Sequence, residues 1–206
     1  MIRYILYDLD GVLVDACDWH YHALNKALDK FYGFTIPYDE HLRTYNGLPT
    51  KKKIEILIQK KLIPPVVNED LFLEKQNFTK QEIIKNSSAD NEKIELHSTL
   101  LAKGFRLACV TNAIRETAEL MLDRTGQLRF MKFIICNEDV VHPKPDPMPY
   151  IAAMNRFSAL PSETLIIEDS DKGFQSAKGS GAWVYRVANS KGVVLKNVLE
   201  CINKYE

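Results

Sequence analysis

Residues 4–13 read Tyr-Ile-Leu-Tyr-Asp-Leu-Asp-Gly-Val-Leu (YILYDLDGVL), an apolar run that carries two carboxylates, Asp8 and Asp10. An unpaired buried carboxylate is costly, so these acids sit at the exposed end of a buried strand or meet a cation there. Four further runs of similar character follow at residues 105–110 (FRLACV), 132–136 (KFIIC), 164–167 (TLII) and 182–187 (AWVYRV), with segments of helical periodicity between them. Short runs apolar on both faces and separated by helices are what a parallel sheet covered on both sides requires. The pattern predicts an α/β fold: a Rossmann-like parallel core with helices on both faces.

One interval breaks the alternation. From Asp15 to about Ile84 no run reads as a strand, while Trp19, Ala23, Ala27 and Phe31 recur at helical spacing before Gly33. Ile54, Leu57, Ile58 and Leu62 do the same before Pro64-Pro65, and Leu71 and Phe78 follow. An all-helical cap over residues 15–84, inserted into a core of residues 1–14 and 85–206, is the expected organisation. Thr50 and Asn68 are the expected helix N-caps, and the Lys51–Lys53 and Lys60–Lys61 clusters read as solvated helix faces.

Composition narrows the function. The 206 residues carry 27 Lys+Arg against 27 Asp+Glu, so no net field draws the chain to nucleic acid or an anionic membrane. The four cysteines, Cys17, Cys109, Cys136 and Cys201, have neither zinc-site spacing nor the density of a disulfide scaffold. With no basic leader and no window of membrane-spanning length, a cytoplasmic protein is expected.

Ligands of an open parallel sheet bind beyond the carboxyl ends of its strands. Those ends carry Asp8-Leu-Asp10-Gly11, Thr111-Asn112, His142-Pro-Lys144-Pro145 after a short connector, and Glu168-Asp169-Ser170. Hard carboxylate oxygens suit Mg²⁺, while a lysine and a hydroxyl suit the remaining oxygens of a phosphoryl group. The inventory matches phosphoryl transfer.

In order and in context, these segments resemble the four motifs of the haloacid dehalogenase superfamily of phosphatases, and "YDLDGVLVD", "HPKPDP" and "IIEDSDKGFQSAKGSGAWV" resemble its beta-phosphoglucomutase-like branch. The resemblance implies a Mg²⁺-dependent phosphatase acting on a small phosphorylated metabolite, such as a sugar phosphate, as a monomer or weak dimer. It makes Asp8 the nucleophile that forms an aspartyl-phosphate, and Asp10 the general acid and then base. Asp8, the Asp10 carbonyl, Asp169 and Glu168 are the implied metal residues; Thr111, the Asn112 N–H and Lys144 hold the phosphoryl oxygens. In the cap, the resemblance points His20, Gly47 and Lys51 toward substrate. Thr50 and Lys51 stand where the phosphomutase pattern has an arginine, which favours hydrolysis over the alternative of a phosphomutase. A non-catalytic interaction protein of the same fold is the remaining alternative.

Overall fold

In the computed structural model, which describes residues 1–65 and 68–205, five parallel strands form one sheet in the order β3-β2-β1-β4-β5. These are β1 (Tyr4–Tyr7), β2 (Arg106–Val110), β3 (Ile134–Ile135), β4 (Thr164–Glu168) and β5 (Trp183–Arg186). β1 lies in the middle, with Ile5 opposite Leu107 on one side and Leu165 on the other. All five coincide with the apolar runs of the sequence, four of them trimmed at their ends and β4 extended by one residue to Glu168. β4 is buried along its length and β2 along all but its first residue, which explains why those runs do not alternate.

The chain forms two compact units, one of Met1–Asp15 with Ser88–Glu206 and one of Ala16–Ser87. The first holds the sheet together with α5 (Asn91–Ala102), α6 (Arg115–Arg124), α7 (Met148–Phe157), α8 (Asp171–Gly179) and α9 (Leu195–Asn203). Its core joins Leu6, Val110 and Ile166 from the central strands to Tyr150, Ala153 and Met154 of α7. Burying each of the Leu, Val, Ile and Met side chains among them is worth about 1.5–3 kcal/mol.

The second unit is helical throughout its described residues: α1 (Cys17–Tyr32), the single turn α2 (Tyr38–Glu40), a π turn over His41–Tyr45, α3 (Thr50–Gln59) and α4 (Asp70–Asn86). Its own core includes Leu24, Leu28, Tyr45, Leu57 and Leu71. α1 ends where Gly33 turns left-handed (φ 60°) and returns its N–H to the Asp29 carbonyl.

Three local expectations are corrected. Thr50 is the first residue inside α3 and makes no capping bond; the N-cap position is held by Pro49 (φ −57°, ψ 147°), which has no side-chain acceptor, so the hydroxyl comes one residue too late to cap. Asn68 does accept a backbone hydrogen bond, from the Asp70 N–H at 2.9 Å, but one residue ahead of the position adjoining the helix. Lys51 and Lys52 are exposed as a solvated face should be, whereas Lys53 is only 6% exposed. It lies one turn before Leu57 and shares that residue's buried stripe. Among the described residues no helix is long and apolar enough to cross a membrane.

Candidate active site

Asp8 follows the last residue of β1, its N–H bonded to the Ile167 carbonyl of β4 at 3.0 Å. The chain then folds on itself: Leu13 and Val14 donate to the Leu9 carbonyl, and Gly11 donates to that of Val14 at 2.7 Å. Gly11 is left-handed (φ 85°), and a Cβ there would collide with the Asp169 carboxylate. Only glycine lets this loop lie so close to the acid at the end of β4.

Lys144 is the focus of the site. Its ammonium, 4% exposed, lies 2.6 Å from Asp8 Oδ1, 2.6 Å from Glu168 Oε1, 2.8 Å from the Val110 carbonyl and 2.8 Å from the Tyr150 hydroxyl. The lysine backbone is pinned by Asn112, whose Nδ2 donates to the Lys144 carbonyl at 3.0 Å and whose Oδ1 accepts the Lys144 N–H at 3.1 Å. Thr111, 2% exposed, uses its hydroxyl oxygen to accept the Ala113 N–H at 3.0 Å. That bond shapes the turn after β2.

Glu168 ends β4 fully buried, and both its oxygens are occupied. Oε1 takes Lys144 and a 2.7 Å bond from the Tyr150 hydroxyl, while Oε2 takes the Asp169 N–H at 3.2 Å. A Cβ on Gly173 would strike this carboxylate, so the first turn of α8 is built around it. Asp169 differs: its Oδ1 is buried without a hydrogen-bond partner. One oxygen from each of Asp8, Glu168 and Asp169 lies within 4.8 Å of the others.

So much negative charge in so little water moves the ionisation equilibria. Burial, then Glu168, and further Asp169 and Asp10 raise Asp8 well above the usual carboxylate range, with Lys144 pulling the other way. Burial, with Glu168 and Asp10 behind it, raises Asp169 to about 7. Burial works against the Lys144 ammonium, yet the Asp8 and Glu168 charges outweigh it and hold the amine above its ordinary value. One lysine thus faces an excess of acids, one of which keeps an unclaimed buried oxygen. Hard oxygen donors with surplus negative charge fit a divalent cation.

The structure brings Asp8, Thr111, Asn112, Lys144, Glu168 and Asp169 to the carboxyl ends of β1, β2 and β4, and Asp10 to the loop beyond β1. His20, Gly47 and Lys51 belong to the helical unit. There His20 Nδ1 lies 3.5 Å from Lys75 Nζ, Gly47 is left-handed (φ 71°) beyond the π turn, and Lys51 is exposed on α3. The sequence reading missed Tyr150, which bonds to both Lys144 and Glu168. Its signal was the spacing: six residues after Lys144, across Pro147 and into the first turn of α7, a tyrosine is carried back beside the lysine.

Comparisons with known proteins agree with this architecture. The chain is 29% identical over 193 residues to a phosphoglycolate phosphatase of Nitrosospira multiformis, with 90% of this chain and 83% of that protein covered. It is 26% identical over 190 residues to a phosphorylated carbohydrates phosphatase of Thermotoga maritima, covering 90% and 85%. In structure it is similar to beta-phosphoglucomutase from Clostridium difficile, with a TM-score of 0.85 and 18% identity over 100% of this chain and 99% of the other. The family model of haloacid dehalogenase-like hydrolases matches residues 5–187, from β1 through the acidic end of β4 to the end of the sheet, and the chain belongs to that family.

Proposed function

We propose that the chain is a Mg²⁺-dependent phosphatase that hydrolyses a small phosphorylated metabolite, a sugar phosphate or similar ester, through an aspartyl-phosphate on Asp8. The observation that supports this most is the pairing of Asp8 with the buried Lys144 beside an Asp169 oxygen that has no protein partner. The names of the relatives, phosphatases of phosphoglycolate and of phosphorylated carbohydrates, support the same substrate class.

In this reading a carboxylate oxygen of Asp8 attacks phosphorus in line, and the bond from phosphorus to the ester oxygen breaks. Asp10 gives its proton to that leaving oxygen, then takes one from the water that attacks the aspartyl-phosphate and restores the Asp8 carboxylate. Lys144 and the Thr111 hydroxyl stabilise charge on the phosphoryl oxygens. Asp8, Asp169 and the Asp10 carbonyl would hold the cation with Glu168 behind them, and when bound it supplies the positive charge that lets anionic nucleophile and anionic substrate meet. Asn112 acts by fixing the Lys144 backbone. Substrate choice is assigned to the helical unit as a cap, where His20, Gly47 and Lys51 are the first residues to vary. The chain would act in the cytoplasm as a monomer or weak dimer.

The test is a screen of phosphorylated metabolites with Mg²⁺, scoring free phosphate and isomerised product side by side. Inorganic phosphate is the expected product; isomerised sugar phosphate as the main product would replace the hydrolase reading with a mutase one. Asp8→Asn should abolish phosphate release while leaving the circular dichroism spectrum unchanged, and substantial residual turnover would remove Asp8 from its role.

A further inference from the structure

Behind β1, on residues that the chemistry above does not use, lies a buried polar cluster. Gln127 is fully buried, as is His97, and Thr125 is 6% exposed. The Gln127 amide makes three bonds: Nε2 donates to the Leu13 carbonyl at 3.0 Å and to the Thr125 hydroxyl at 2.9 Å, and Oε1 lies 2.9 Å from His97 Nε2. An amide oxygen only accepts, so His97 carries its hydrogen on Nε2. The reverse orientation of the amide would set oxygen against the Leu13 carbonyl, so the network admits one arrangement. The Thr125 hydroxyl in turn donates to the Met121 carbonyl at 2.8 Å, which ties the cluster to the last turn of α6.

The same turn has a second hold on the chain. The Thr125 carbonyl accepts the Asp90 N–H at 3.1 Å. Asp90 is the N-cap of α5, its side chain accepting the Lys93 N–H at 3.0 Å. The polypeptide leaves the sheet-bearing unit after Asp15 and re-enters it at Ser88. Leu13 lies two residues before the exit, and Asp90 two residues after the return. Both crossings are therefore fastened to one turn, residues 125–127, which Gly126 (φ 74°) and the bond from the Gln127 N–H to the Leu122 carbonyl close against α6. Leu13 is also the next-to-last residue of the loop that runs from Asp8 through Asp10 to Val14.

We propose that Gln127 is a positioning residue, and that the Thr125–Gly126–Gln127 turn is the shared anchor of both chain crossings. It fixes the far end of the Asp8–Val14 loop and the start of α5 to the same turn of the sheet-bearing unit. A buried amide that makes three bonds is a poor choice for stability alone, since a set of apolar side chains of the same shape would have left only backbone groups to satisfy. What the amide adds is a unique position for a backbone carbonyl two residues from a crossing. The effect on turnover rests on the phosphatase reading; the anchoring does not.

Gln127→Met keeps the length of the side chain and removes the amide. Followed by hydrogen exchange, the variant should exchange at least tenfold faster across residues 9–16, with strands β2 and β4 unchanged. With the phosphate ester that wild type hydrolyses best, it should lose roughly tenfold in kcat with KM within twofold, whereas a purely structural residue would lower the melting temperature and leave kcat per folded molecule intact. Thr125→Val, which keeps the Leu13 bond, should show a smaller loss of the same kind. In wild type, the Asp90 and Gln127 amides should exchange as slowly as those of β1. Asp90 exchange a hundredfold faster than β1, or unchanged exchange at residues 9–16 in a folded Gln127→Met, overturns the anchor. If wild type hydrolyses no ester, the phosphatase reading fails while the exchange data still decide this one.

Discussion

Lowering the pH should destabilise this protein through His97 in a measurable way. The imidazole is fully buried, packed edge-on to Tyr7 with centroids 5.3 Å apart and against Phe130 at 5.8 Å. Burial, opposed by the Gln127 bond, lowers its pKa from 6.5 to about 4. A group that resists protonation when folded adds stability that is present above its unfolded pKa and lost as pH falls toward the folded one. The window is therefore pH 6.5 down to 4, with about 1.4 kcal/mol lost per unit. Between pH 7 and pH 5 the loss is about 2 kcal/mol from this residue alone. Asp169 acts in the opposite sense over part of the range, so the assay must isolate His97. Urea unfolding of wild type and His97→Phe at several pH values does so, because the ring still fits beside Tyr7 and Phe130 and the fixed penalty of leaving Gln127 Oε1 unpaired cancels in the slope. The difference in unfolding free energy should shrink by about 2 kcal/mol on going from pH 7 to pH 5. A flat difference would refute both the burial argument and the neutral tautomer in the Gln127 cluster.

Tyr150→Phe removes the hydroxyl shared by Lys144 and Glu168 and should cost about 1–3 kcal/mol in stability together with a fall in turnover; wild-type values for both would show that the hydroxyl contributes nothing. Asp169, raised to about 7, holds its proton in the metal-free folded state, so that contribution to stability is present below its ordinary 3.8 and lost as pH rises through about 7. On the proposed reading Mg²⁺ displaces that proton: calorimetry below pH 7 in buffers of different ionisation enthalpy should record proton release and an affinity that rises with pH, and binding without release would contradict the assignment. Gly173→Ala drives a methyl group into the Glu168 carboxylate and should destabilise the fold by about 1–3 kcal/mol, read as a lower urea midpoint; an unchanged midpoint would mean the helix can shift freely.

The strands were legible because burial on both faces leaves little choice of residue: Ile5 and Leu6, Leu107 to Val110, and Leu165 to Ile167 are apolar without alternation and are all buried. The acidic and basic ends of those strands were legible for the complementary reason, that no core-building purpose explains Asp8, Lys144 or Asp169. Thr50 misled because a helix can start without a side-chain cap: the boundary fell one residue earlier, on Pro49. Lys53 misled because charge suggests solvent, while its four-residue offset from Leu57 decides the face. Tyr150 was invisible for a different reason: a tyrosine on an apolar helix face reads as core, which it also is, and its hydroxyl finds Lys144 only through the turn at Pro147. Gln127 and His97 lie 30 residues apart and declare themselves only when folded.

The surroundings of Lys144 have a further consequence. An ammonium has three hydrogens to donate, and four oxygens stand within 2.8 Å of this one: those of Asp8, Glu168, Val110 and Tyr150. The lysine is over-supplied with acceptors. Should Asp8 withdraw its oxygen to bond elsewhere, three acceptors still meet three hydrogens, and a rotation about the last carbon–nitrogen bond redistributes them without moving the nitrogen. The positive charge at the centre of the site can therefore stay fully hydrogen-bonded while Asp8 passes through the covalent intermediate proposed for it and returns.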